Sequence, residues 1–238
     1  MPTALFRRLP SLLPTACALC GAHGAALCGG CRAQFFAVPP PRCRQCAMTL
    51  PAATPPHALC GQCLKSPPPF DATIVAADYA PPLDQLVLEL KFGHRLALAP
   101  LLAELLHQAL PIDAERPQLL LPVPLGPRRL AQRGFNQALE IARPLARLLA
   151  VPLEPRLALR VRETEAQTTL PPRQRQQNLR GAFTLEPAAA AARLRGRHVG
   201  IVDDVITTGA TVGELAATLK RFGATRVTTL AFARTPPH

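Results

Sequence analysis

Two groups of residues in this 238-residue chain have the types and spacing to do chemistry. The first is the run VGIVDDVITTGATV, residues 199–212, where apolar and glycine positions lead into two adjacent acids, then into threonines and a glycine. Read as a buried strand, a turn and a helix beginning near Thr211, it sets Asp203 and Asp204 at the strand's carboxyl end, where open parallel sheets hold their ligands. Acids at that place accept hydrogen bonds from sugar hydroxyls or approach a divalent ion. The turn offers hydroxyls from Thr207, Thr208 and Thr211, and Gly209 lets a ligand come close to the backbone. Amides at a helix N-terminus, here at Ala210 and Thr211, bind phosphate. Vicinal hydroxyls beside one phosphate describe a ribose 5-phosphate. The plain alternative is a helix cap with an acid pair used structurally.

The second group is the cysteines. All eight precede residue 64, as four C-x-x-C pairs: Cys17/Cys20, Cys28/Cys31, Cys43/Cys46 and Cys60/Cys63. Each pair can grip one face of a tetrahedral ion, and eight thiolates make two structural four-cysteine zinc sites. Metal then replaces the core that so short a segment cannot build. An iron–sulfur cluster is the rival metal centre. Disulfides are disfavoured in a cytosolic setting, and a redox dithiol is expected once beside a βαβ pattern rather than four times. Cys43/Cys46 with Cys60/Cys63 has ribbon spacing, leaving Cys17/Cys20 with Cys28/Cys31; interleaved pairing is also open. His23 and His57 lie among the cysteines, but eight thiols already satisfy two ions.

Positioning these groups requires a change of architecture along the chain. Residues 1–64 are the cysteine segment, and 65–72, with three consecutive prolines, are a stiff linker. From 73 to 238 strand-like and helix-like patterns alternate. ATIVAADY, QLLLPVPL, HVGIVDD and RVTTLAFAR are strands; LDQLVLELKF, LAPLLAELLHQAL, GFNQALEIARPLARLLA and TVGELAATLKRFG are helices. This is a doubly wound α/β pattern with a parallel sheet. Pro144 falls inside a helical pattern and predicts a kink or break. AAAAARLRG is read as a surface connection. The turn PVPLGPRRLAQRG leaves a strand and meets a helix, so Arg128, Arg129 and Arg133 are placed to pair with phosphate oxygens, unless they form a solvated face. Asn136 and Gln137 can cap the helix or bridge loops. Lys91 can reach phosphate or lie exposed.

Bulk properties narrow the classes. No stretch of about 18 apolar residues occurs, so no membrane span is expected, and Arg7, Arg8, Pro10 and Pro14 interrupt any leader-type run; the reading is cytoplasmic. The formal charge is +12, with lysine only at Lys65, Lys91 and Lys220. That balance favours polyanions, either nucleic acid or a phosphate-rich metabolite. Aromatic residues are only 4%, which argues against a stacking platform for single strands. No P-loop, no dinucleotide fingerprint and no Ser-His-Asp or Cys-His arrangement is readable.

The acid–threonine run resembles the signature by which type I phosphoribosyltransferases hold 5-phosphoribosyl 1-pyrophosphate (PRPP). The resemblance implies that Asp203 and Asp204 engage the ribose 2- and 3-hydroxyls with magnesium near, and that Thr207, Thr208, Gly209, Ala210 and Thr211 hold the 5-phosphate. Four C-x-x-C pairs ahead of such a domain, with LKFGHR, PVPLGPRRLAQRGFNQA and ETEAQTTLPPRQRQQNLRGAF in order, resemble the ComF family of competence-associated proteins over nearly the whole chain. Gly126 departs from the polar or basic side chain more usual there. The resemblance marks Gln167, Arg175 and Asn178 on a polar loop over the site. It implies a PRPP-binding protein acting in uptake or use of single-stranded DNA, with competence or DNA-processing proteins as partners. An active phosphoribosyltransferase with an unknown acceptor and a PRPP-sensing regulator are the alternatives.

Overall fold

The computed structural model describes residues 16–161 and 181–236, and the chain divides after Val38 into two compact units. In the first, the CALC turn closes when the Gly21 N–H donates to the Cys17 carbonyl at 2.9 Å. Gly21 sits at φ 76°, a left-handed conformation that glycine adopts without steric cost. The CGGC pair then opens helix α1 (Gly29–Phe36), with Cys28 as its N-cap.

The second unit begins with the same construction. The Ala47 N–H donates to the Cys43 carbonyl at 2.8 Å, and Cys60 caps helix α2 (Gly61–Lys65). Here the left-handed position is an alanine, Ala47 at φ 57°, at a steric cost of about 1 kcal/mol. Its methyl group offsets that cost: Ala47 is 1% exposed and packs with Val75, Ile206 and Ala231. This cysteine turn is part of the core of the unit that carries the sheet.

The chain continues through β1 (Ala72–Asp78), α3 (Asp84–Lys91), α4 (Leu98–Gln108), β2 (Leu119–Pro122), α5 (Pro127–Arg133) and α6 (Gln137–Leu149). Next come β3 (Ala158–Arg160), β4 (Phe183–Leu185), α7 (Pro187–Leu194), β5 (His198–Ile206), α8 (Ala210–Arg221) and β6 (Arg226–Arg234). β1, β6, β5 and β2 form, in that order, a fully parallel sheet, as expected. β6 lies in its interior and is buried from Val227 to Arg234, as parallel strands covered on both faces must be. α4 and α6 pack together, α4 against β1 and β6 and α6 against β2 and β5; α8 packs on β5, β6 and β4. Leu119, Leu121, Val199, Ile201 and Val227 share an apolar cluster with Val212, Leu215, Ala216 and Leu219 of α8.

Three local expectations change. α6 runs unbroken through Pro144. The proline leaves the Glu140 carbonyl without its helical donor, while Ile141, Ala142, Leu145, Ala146 and Leu149 bury one face and hold the helix together. The AAAAARL stretch is not a bare connection but helix α7, with Ala190 and Leu194 fully buried. β5 does not stop at the acids; it continues two residues to Ile206, paired to β6.

Candidate functional site

The topology marks one place on the sheet. β5 leaves through α8 toward β6, its neighbour on one side. β2, its neighbour on the other side, leaves through α6 toward Leu153, which bridges Leu120 from beyond β2. The outgoing connections therefore diverge between β5 and β2, and a crevice opens at such a switch point. β2 ends opposite Val202, so Asp203 and Asp204 stand just past its last rung.

Consecutive strand residues point to opposite faces, and the two acids do different things. Asp204 is 2% exposed. Its Oδ2 forms an ion pair with Lys91 at the end of α3, and its Oδ1 accepts from Gln137 Nε2 at 2.9 Å. Gln137, the first residue of α6, accepts in turn from Arg133 at 2.5 Å. Asn136 caps α6 by accepting from the Ala138 N–H and also donates to the Val123 carbonyl, both at 3.0 Å. Asn136 and Gln137 therefore cap and bridge, and Lys91 is paired with the buried acid rather than exposed. Asp203 is half-buried, its Oδ1 accepting the Asp204 N–H at 2.9 Å. Burial, and then the neighbouring Asp204 charge, push its carboxyl well above the ordinary range.

Thr207 and Thr208 are exposed, and Gly209, at φ 79°, is the N-cap of α8. Thr208 Oγ1 accepts the Ala210 N–H at 3.3 Å. Phe70, 3% exposed, floors the turn, its ring 3.5 Å from where a Gly209 β-carbon would sit. Arg128 and Arg129 occupy exposed positions on α5. Arg133 instead turns inward onto Gln137, lies 5.3 Å over the Phe92 ring, and has its proton affinity lowered by burial. His94 meets Phe135 edge-on at 5.7 Å, and Phe92 is 65% exposed. Phe92 and Phe135, two of ten aromatic residues, thus lie against Arg133 and His94. Gln167, Arg175 and Asn178 lie outside the described residues.

The cysteines form two clusters, Cys17/Cys20/Cys28/Cys31 and Cys43/Cys46/Cys60/Cys63, the sulfurs of each within 4.8 Å of one another. Pairing is sequential, not interleaved. The Cys20–Cys28 and Cys46–Cys60 sulfurs are 3.7 and 3.6 Å apart, against about 3.8 Å for two thiolates on one tetrahedral zinc. Burial raises the Cys17 thiol, but the N–H groups of Cys28, Cys20 and Leu19 outweigh it and hold it at about 6. Burial, hydrogen bonds from the other cluster thiols and the Cys17 charge push Cys31 to about 12. Cys43, held at about 7 by backbone donors against its burial, contrasts with Cys46, which burial, the Cys43 charge and the Cys60 thiol push to about 11. In each cluster one thiol is held down and another pushed up, an imbalance that a bound cation would relieve. The donor set fits a thiolate-bound divalent metal.

A zinc-ribbon module and a nucleotide-type α/β sheet with an acid–threonine switch point define the class: a phosphoribosyltransferase-fold domain with two cysteine centres. The double zinc ribbon domain family matches residues 9–64, and the phosphoribosyl transferase domain family residues 136–237. The chain is 41% identical over 198 residues to DNA utilization protein YhgH of Escherichia coli strain K12, covering 81% of this chain and 84% of the relative. The corresponding protein of Salmonella typhimurium is 42% identical over 198 residues, with the same coverage. Competence protein F of Haemophilus influenzae strain Rd is 35% identical over 214 residues, covering 87% of this chain and 90% of that protein. The chain belongs to the ComF family. Among the described residues, no helix is long and apolar enough to cross a membrane.

Proposed function

We propose that this protein binds PRPP, or another ribose 5-phosphate, at the carboxyl ends of β5 and β2, and acts in the uptake or use of single-stranded DNA. One observation carries the ligand: Asp203 and the Thr207–Thr211 turn stand at the switch point of a parallel sheet, an acid for sugar hydroxyls beside donors for one phosphate. Magnesium accompanying the pyrophosphate would find its donor in the Asp203 carboxylate, since Asp204 already holds Lys91. Arg128 and Arg129 supply charge on the helix that follows β2. Zinc in the two cysteine clusters is structural, because all four thiols of each cluster converge and leave no open position.

Transferase chemistry on this site would break the bond from the ribose anomeric carbon to pyrophosphate as an acceptor attacks the same carbon. Asp203 would support the developing positive charge on the sugar, and no protein nucleophile is required. The DNA role is supported by the names of the relatives, by the +12 charge and by the exposed Phe92 ring beside Arg133, a surface on which a base can stack. A PRPP-sensing regulator would use the same pocket.

Calorimetric titration of the zinc-loaded protein with PRPP and magnesium tests the ligand. Saturable binding that Asp203→Asn weakens by about ten-fold or more, about 1.4 kcal/mol, is expected. Absence of binding to the folded wild type would reject the ligand. Asp203→Asn is the cleaner variant, because Asp204→Asn also strips Lys91 of its partner.

A further inference from the structure

We infer that the second cysteine centre and Arg234 act together as a positioning device for the Thr207–Gly209 turn, so that metal occupancy of that centre sets the shape of the ribose-phosphate site. Naming the turn's ligand rests on the reading above; the mechanical link stands on contacts alone.

Four consecutive carbonyls of the CRQC turn are bound by groups outside it. The Arg44 carbonyl accepts the Thr73 N–H of β1 at 3.2 Å, and the Gln45 carbonyl accepts Thr73 Oγ1 at 2.7 Å. The Cys46 carbonyl accepts Arg234 Nε from the end of β6 at 3.1 Å. The Ala47 carbonyl accepts Arg42 Nη1 at 3.2 Å, and that arginine also pairs with Asp78 of β1 at 2.8 Å. A metal-binding turn is thereby fixed along the sheet by its own backbone.

Two routes then reach the phosphate turn, one at each end. Arg234 is 5% exposed, and its Nη1 donates to the Ile206 carbonyl at 3.1 Å. One guanidinium thus links a metal-ligand residue to the residue immediately before Thr207. The second route starts at Gln45, whose Nε2 donates to the Pro68 and Phe70 carbonyls at 3.3 and 3.1 Å. Phe70 floors Gly209, and Pro69 lies 3.6 Å from where a Gly213 β-carbon would sit. Both ends of the turn therefore depend on where residues 45 and 46 stand, and the ion fixes that position by closing Cys43, Cys46, Cys60 and Cys63 around itself. Four thiolates on a divalent ion keep net negative charge, which suits the buried Arg234 guanidinium.

The test uses the full-length protein and reads amide exchange without ligand, beside metal content and melting temperature. Arg234→Gln should retain both zinc ions while the amides of residues 207–211 exchange about ten-fold faster, with residues 199–202 unchanged. Arg234→Lys, still able to reach one of the two carbonyls, should recover part of the protection. Cys60→Ser should lose one zinc ion and reproduce the fast turn; Cys28→Ser should lose the other and leave the turn protected. Unchanged exchange in Arg234→Gln or Cys60→Ser, or uniform acceleration through residues 199–202, would overturn the inference. Protection that responds to Arg234 in a protein that does not bind PRPP would keep the inference and reject the ligand.

Discussion

Asp203 and Asp204 are neighbours in sequence and opposites in environment. Asp204 is buried against Lys91 and Gln137, whereas burial and the Asp204 charge both oppose ionisation of Asp203 in the ligand-free protein. A raised folded-state pKa contributes stability that is complete below the unfolded value, about 3.9, and is lost as pH rises through the folded value. Asp203→Asn should therefore raise the melting temperature of the ligand-free protein at neutral pH, with the gain vanishing near about pH 4; melts across that range check it. Lys91→Met leaves the Asp204 carboxylate buried without its cation and should cost about 3 kcal/mol by urea denaturation. Lys91→Met combined with Asp204→Asn should recover most of that loss. The acids, the threonines and all eight cysteines were legible because their chemistry is written in consecutive or C-x-x-C positions. The Lys91–Asp204 pair and the Phe70 floor were not, since each joins residues far apart in sequence through tertiary packing. Arg234 carried a faint signal, a lone charge ending the apolar run TLAFAR.

At the scale of elements, the strands and long helices followed their apolar periodicity, and the departures have local causes. β5 runs on past its acids because β6 continues beside it to Arg234, a pairing no periodicity announces. β3 and β4 are three residues each, too short for alternation to show. α7 hides in alanine repetition whose buried members are only Ala190 and Leu194 among its described burial. α6 survives Pro144 on the strength of one buried face, so removing the proline should help it. Pro144→Ala restores a donor for the Glu140 carbonyl and is expected to stabilise the protein by about 1–3 kcal/mol in chemical denaturation. Fluorescence-free probes such as far-ultraviolet dichroism suit this chain, which has no tryptophan.

At the scale of the whole molecule, a +12 charge predicts binding to single-stranded DNA whose logarithmic affinity falls steeply with the logarithm of salt, as released counterions require. A flat salt response would assign the charge to composition rather than to contact. The four carbonyls of residues 44–47 also decide where this chain can be cut. A fragment starting at Pro39 keeps every acceptor that Thr73, Arg42 and Arg234 use, and is expected to express as a soluble, cooperatively melting protein with a single zinc ion. One starting after Lys65 leaves Thr73 and Arg234 without their acceptors and Asp78 without Arg42, and should aggregate. As a unit of inheritance, the parallel-sheet module therefore carries a four-cysteine knuckle of its own.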